Sequence, residues 1–350
     1  MKLTPQERFK LTLAHQQPDR PPVNIWPTPE IWEKLALHFE RRFGDRNLER
    51  ALEIDFRNVS PNFIAPVVAP RKSSDAIATT TEDGVYQDVV SKPLAWIRTM
   101  DDVARYVPVN DPEKFDFSGI AQASRAANPF VRVFGHPGMF DIVNGLGRGI
   151  GLEDLLCGML SGDPVILALI EKHLDCDFRY CQAGLEAGHG EIEVLSIGED
   201  CGHQHSLIFP PDFFKSFFAP RLKRFVDLAH RHGAVCMMHS CGAIRDLIPI
   251  LIDDVGLDIL QACQPEANGM ETAALKRDFG DRITYSGMLG LQQTLTQGTA
   301  EECRREAERL VTVIGKNGGY IFEPANSVTK DVPLENILAA YEVATGKKLL

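Results

Sequence analysis

No apolar run in this chain approaches the roughly 18 residues that a membrane-spanning helix needs. A basic cluster is missing too: 37 Lys and Arg stand against 48 Asp and Glu, a formal charge of −11. That balance argues against nucleic acid or an anionic membrane as the partner. The first residues have no signal-peptide core; Thr4, Pro5 and Glu7 instead open a capped helix. Eight cysteines, at positions 157, 176, 181, 201, 236, 241, 263 and 303, form no CxxC pair. In a chain of 350 residues this scatter points to reduced thiols and a cytoplasmic protein rather than a disulfide framework. Repeats, low-complexity tracts and an interdomain linker are also missing. The run Asn144-Gly145-Leu146-Gly147-Arg148-Gly149 lacks both the GxGxxG spacing and a preceding strand, so it reads as a loop rather than a dinucleotide fingerprint.

What the chain does have is alternation. Eight segments read as short apolar strands: residues 22–26, 54–59, 131–135, 193–199, 235–239, 257–261, 283–286 and 320–322. Helical patterns separate most of them. The clearest covers 211–232, with Phe213, Phe214, Phe217, Phe218, Leu222, Phe225, Val226 and Leu228 on one broad face. Another starts at Thr299, where Glu302 completes a second capping box. The pattern predicts an α/β fold, a (β/α)8 TIM barrel forming a single domain over residues 1–350. The irregular stretch 61–128 reads as an insertion after the second strand, with a hairpin over 84–97.

In such a barrel, chemistry collects where strands run into loops at the C-terminal face. The fifth strand candidate ends in His239-Ser240-Cys241-Gly242. Side chains two apart on an extended segment leave the same face, so His239 and Cys241 converge on one point. Imidazole and thiolate are two of the ligands zinc prefers. On spacing alone, a buried thiol beside a hydrogen-bonded histidine at a strand end is the plainer reading. The fourth candidate ends in Glu199-Asp200-Cys201-Gly202-His203-Gln204-His205, the densest run of ligands and proton carriers in the chain. His136, Cys263, Glu323 and Asn326 follow other strands. His136, Glu199, His239, Cys263 and Asn326 are therefore expected around one cavity. Capping, solvation and plain burial remain the alternative readings for these residues.

Several motifs occur in an informative order. Thr4-Pro5-Gln6-Glu7-Arg8 and Pro18-Asp19-Arg20-Pro21-Pro22 open the chain. His239-Ser240-Cys241-Gly242, Gln264-Pro265-Glu266-Ala267, Phe279-Gly280-Asp281-Arg282 and Asp331-Val332-Pro333-Leu334-Glu335-Asn336-Ile337 follow. With these, the chain resembles the uroporphyrinogen decarboxylase superfamily, in particular its corrinoid-linked methyltransferase-like branch. The resemblance runs through almost the whole length and implies the same barrel. It does not imply heme-pathway decarboxylation. Residues 22–29 carry no arginine, and a substrate with many carboxylates needs several cationic partners.

The methyltransferase branch binds zinc through a His-x-Cys pair and a later cysteine near the last strand. His239 and Cys241 match the pair, but Asn326 stands where the later cysteine is expected. Asparagine is a poor replacement for thiolate on zinc. The missing ligand is then expected from Glu323, Cys263, Glu199 or Cys201, with a metal-free site as the remaining alternative.

The resemblance thus implies a zinc-dependent methyltransferase. It would move a methyl group between a small thiol or methoxy substrate and a corrinoid (cobalamin) carried by a separate protein. Glu199 or Asp200 is the expected proton carrier, and His136, His203, Gln204 and Asn326 are the expected substrate contacts. Two other readings stay open: a metal-free decarboxylase or lyase for a small carboxylated substrate, and a non-catalytic barrel that binds a ligand. Barrels of this class often pair, which leaves monomer and homodimer both open.

Overall fold

Short apolar strands alternating with amphipathic helices build one curled parallel sheet. The computed structural model describes residues 2–65 and 92–350. Among these residues lie nine strands: β1 (Phe56–Val59), β2 (Asn62–Phe63), β3 (Phe115–Asp116), β4 (Val131–Gly135), β5 (Val194–Gly198), β6 (Val235–Ser240), β7 (Ile259–Ala262), β8 (Thr284–Leu289) and β9 (Tyr320–Pro324). Seven of them pair in parallel in the order β1-β4-β5-β6-β7-β8-β9. Every residue of β5, β7, β8 and β9 is buried, as strands with helices on one face and the barrel interior on the other require.

Residues 22–27 close the ring between β9 and β1. Val23 pairs in parallel with Phe322, and Pro27 with Val328. The Asn24 N–H donates to the Phe322 carbonyl at 3.0 Å, and the Phe322 N–H to that of Pro22 at 2.8 Å. On the other side the Asp55 N–H donates to the Val23 carbonyl at 2.9 Å. The first predicted strand is therefore present only as a bridge. Pro21 and Pro22 have no N–H to give, and the Val23 N–H is taken by the Asp55 carboxylate at 2.7 Å, so a full ladder cannot form. The result is a (β/α)8 barrel with one short stave.

The insertion lies between β1 and β4. Antiparallel pairing of β2 with β3 closes its base, and Phe115 packs edge-on against Tyr180 of the helix Pro164–Ala187, 4.9 Å away. The hairpin expected over 84–97 falls outside the described residues as far as 91, and residues 93–96 form a turn. The phenylalanine-rich helix forms in three joined parts, Pro211–Phe213, a wider turn at Phe214–Phe218 and Ala219–Arg231, burying Phe214, Phe218, Leu222, Phe225 and Val226. Both predicted capping boxes are made, Thr4 with Glu7 and Thr299 with Glu302.

A buried ionic network holds the bottom of the barrel together. Arg8 and Arg20 each donate to the Asp55 carboxylate at 2.6 Å, and Arg8 forks onto Asp19 at 2.7 and 2.9 Å. Asp55 thus joins the first helix, the closing segment and β1. Asp55→Ala leaves two arginines without their buried partner and frees the Val23 N–H. It should cost about 3–5 kcal/mol of stability in a denaturant titration. A cost below about 1 kcal/mol would mean that the network is no more than a surface pairing.

Candidate metal centre at the barrel mouth

The alternation of β6 puts Met237, His239 and Cys241 on one face. His239 is only 8% exposed, and its Nε2 lies 3.3 Å from the Cys241 Sγ. Register places Gly198 and Gln261 on either side of His239 in β5 and β7. Beyond the sheet the ends of β5 and β6 stay joined. The Glu199 N–H donates to the His239 carbonyl at 3.0 Å, and the Cys241 N–H to the Asp200 Oδ1 at 2.8 Å. The chain then turns sharply at Gly242, whose φ of +85° favours glycine and whose absent Cβ would lie 2.4 Å from the Gly202 backbone. Ligand atoms of Asp200, His239 and Cys241 consequently fall within 4.8 Å of one another.

This trio sits in a cavity of about 350 Å³ at the C-terminal end of the strands. Trp26, Asp141, Asn144, Arg148, Glu199 and Asn326 also line it. The Trp26 ring meets His239 edge-on with centroids 5.9 Å apart. Asn144 donates its amide to the Asp200 Oδ2 at 2.8 Å, which fixes the carboxylate from the side opposite Cys241. The Asn326 Nδ2 donates to the Cys241 Sγ at 3.1 Å, while its Oδ1 accepts from the Ser327 N–H. That second bond turns the amide so that a donor faces the sulfur.

Charge is the dominant property of the cavity. Burial, and then the neighbouring Asp141, pushes the Glu199 carboxyl well above its ordinary range, although the N–H groups of Ile142 and Val143 bind it at 2.9 and 3.0 Å. Burial also raises Asp141 to about 6, and nearby Asp200 adds to the effect. The Cys241 thiol is raised by burial and by Asp200. His239 is pushed down by burial, which keeps the imidazole neutral and its lone pair available. Against Asp141, Glu199, Asp200 and Cys241, Arg148 is the only cation in the lining among the described residues. A bound cation would reverse these upward shifts, since it favours the deprotonated forms.

The other sequence-predicted residues are dispersed. His136 lines a smaller adjoining cavity of about 150 Å³, together with Gln261. Cys263 is buried, donates to the Leu260 carbonyl at 3.4 Å and lines neither of these two cavities. Glu323 is buried and accepts from Asn24 at 2.8 Å, Gln261 at 2.7 Å and Ser286. Both its oxygens are thus engaged away from the Asp200–His239–Cys241 cluster. Cys201 points its thiol at the Glu199 carbonyl, 3.4 Å away. Gln204 bonds to the Glu266 carbonyl and to Gln264, tying two loops together, and His203 is exposed, bonded to Ser206 at 3.0 Å. Of the expected residues, the structure brings Glu199, Asp200, His239, Cys241 and Asn326 together in the cavity.

A family model described as uroporphyrinogen decarboxylase (URO-D) matches residues 96–346. The chain belongs to the uroporphyrinogen decarboxylase family. Among solved structures, a methyltransferase from Methanosarcina mazei is similar over 98% of this chain and 99% of its own, at 17% identity and a TM-score of 0.61. That likeness is one of fold. Weaker likenesses include an IOLI protein with a bound zinc atom, covering 71% of this chain and 82% of that one (14% identity, TM-score 0.31). An L-ribulose 3-epimerase covers 71% and 84% (12% identity, TM-score 0.36). No curated protein sequence matches the chain.

Within this family member the sequence reading overlooked Asp141, Asn144 and Arg148. The run around 144–149 is not a loop: Ile142–Leu146 form a wide helical turn that continues as the helix Gly147–Ile150. The detectable signal was Asp141 three residues before Asn144, an N-cap spacing that the structure uses, since the Asn144 N–H donates to the Asp141 Oδ1. Carboxyl-detected NMR on the metal-free protein should show Asp141 titrating near 6, and Asp200→Asn should lower that midpoint. Because the folded form holds this proton more tightly than the unfolded chain, Asp141 should make stability fall as pH rises from the ordinary carboxylate range through about 6. A midpoint near 4, typical of a free carboxylate, would show that the cavity does not crowd its acids.

Proposed function

We propose that this chain is a zinc-dependent methyltransferase. It moves a methyl group between a small thiol or methoxy substrate and a corrinoid held by a separate protein. The observation that carries the reading is the convergence of Asp200, His239 and Cys241 within 4.8 Å in the cavity at the barrel mouth. The donor set suits zinc: one neutral imidazole nitrogen, one sulfur and one carboxylate oxygen leave a fourth position for substrate. Asp200 then supplies the ligand that the absent cysteine would have provided, and Asn326 serves as a donor to the Cys241 sulfur rather than as a ligand. Bound there, zinc would lower the proton affinity of a substrate thiol or polarise an ether oxygen.

The chain's own groups perform the remaining tasks. Asn144 and the Cys241 N–H hold the Asp200 carboxylate in a single orientation. Asp141, raised to about 6, can accept or return a proton at its carboxylate near neutral pH, and Glu199 beside it holds one more firmly. Trp26, 44% exposed, forms a partly open wall where a corrinoid-bearing partner would approach. Among the described residues Arg148 is the only cation lining the cavity, which favours a small neutral substrate over a polycarboxylate.

The expected result is about one equivalent of zinc in the reconstituted protein, and zinc-dependent methylation of a thiol from methylcobalamin. Alanine at Asp200, His239 or Cys241 should weaken zinc in a chelator competition by more than about a hundredfold, beyond the cost of losing an outer-shell partner. Asn326→Cys should tighten it, because a second thiolate is a softer, charged ligand. Metal-free protein that retains full activity, or zinc affinity unchanged in all three alanine variants, would sink the proposal.

A further inference from the structure

We propose that Gln261 is a positioning residue: it holds His239 as the tautomer with the proton on Nδ1, leaving Nε2 bare toward Cys241 and Asp200. The two residues are register partners on the adjacent parallel strands β6 and β7. Their side chains therefore leave the sheet on the same side.

The direction of the Gln261 amide is set from its other end. Its Nε2 donates to the Glu323 Oε1 at 2.7 Å, and Glu323 also accepts from Asn24 at 2.8 Å and from the Ser286 hydroxyl. With the amide reversed, a carbonyl oxygen would face a carboxylate oxygen at that same 2.7 Å. The amide oxygen of Gln261 is thereby committed to the side away from Glu323. That oxygen and the Nδ1 of His239 are both buried, and neither makes a hydrogen bond in the structure. A proton on Nδ1 supplies the donor that this pair of unpartnered atoms lacks; a proton on Nε2 leaves two buried acceptors with no donor between them.

The opposite edge of the ring accommodates this tautomer. The Nε2 lies 3.3 Å from the Cys241 Sγ, and the Asn326 amide donates to that sulfur at 3.1 Å. With Nε2 bare, the sulfur receives a hydrogen from Asn326 and gives its own to the ring. The chain Glu323–Gln261–His239 is thus a carboxylate, an amide and an imidazole in series, ending on a lone pair aimed at the cluster. Partners of this kind fix ring orientation and tautomer in metal sites. The zinc consequence rests on the proposed metal reading; the tautomer does not.

The test begins with histidine-labelled, metal-free protein and long-range proton–nitrogen NMR. His239 should appear as the Nδ1-protonated form. Gln261→Met keeps the length but removes the acceptor. It should release the second tautomer and weaken zinc alone by about tenfold or more in a chelator competition. Gln261→Glu, whose carboxyl must share a proton with Glu323, restores an acceptor oxygen on the His239 side and should restore the tautomer. A structural role would lower stability in both variants without this pattern. An Nε2-protonated His239 in the parent protein overturns the proposal even if no variant folds. So does a folded Gln261→Met with unchanged tautomer and zinc affinity. A parent protein that binds no zinc overturns the proposed function instead, while the tautomer still decides the role of Gln261.

Discussion

The site depends on the seam where the ends of β5 and β6 meet. Backbone pairing in the sheet stops at Gly198 and His239, yet the two chains remain bonded for several more residues, through Glu199 to the His239 carbonyl and Cys241 to Asp200. Cys201 adds a bond from its N–H to the Ser240 hydroxyl at 3.2 Å. Close approach of Gly242 to Gly202 keeps the loops in contact beyond that point. Without this seam, Asp200 would be a loop carboxylate free to turn into solvent. With it, a carboxylate from one strand end is placed beside an imidazole and a thiol from the next.

Around that seam the barrel assembles two kinds of buried acid. Glu323 is matched by three donors from three different segments and acts through Gln261 as structure. Asp141, Glu199 and Asp200 are packed together with Arg148 as the only cation in the lining among the described residues, and burial makes Asp141 and Glu199 hold protons more tightly than free carboxyls do. Clustered acids with raised proton affinity in a cleft are more typical of working sites than of frameworks. The neutral imidazole and the amide-oriented sulfur fit the same account: each group is prepared to donate electrons to a cation, and no step requires the cavity to hold a polyanion.

Most of the barrel was legible in the sequence, because strands buried on both faces leave short apolar runs that helical patterns separate. The departure at residues 22–27 was not, since the Asp55 carboxylate that captures the Val23 N–H comes from 32 residues away. The His239–Cys241 pair was legible from a period of two. The third member was harder to find. Glu199 and Asp200 are neighbours in sequence, and only the helical turn at Ile142 and Val143, which binds Glu199, separates the buried acid from the one that faces Cys241. Glu323 and Cys263 looked like ligands because both follow strands. Their hydrogen-bond partners, which engage them elsewhere, leave no mark on sequence spacing.

The most direct measurement is zinc K-edge X-ray absorption on the zinc-loaded protein. The account predicts a first shell with one sulfur at about 2.3 Å and nitrogen or oxygen ligands at about 2.0–2.1 Å, the sulfur lost in Cys241→Ala. A shell with two or more sulfurs would mean that Cys201 or Cys263 has been drawn in. That result, or a shell without sulfur, would contradict a centre built from Asp200, His239 and Cys241.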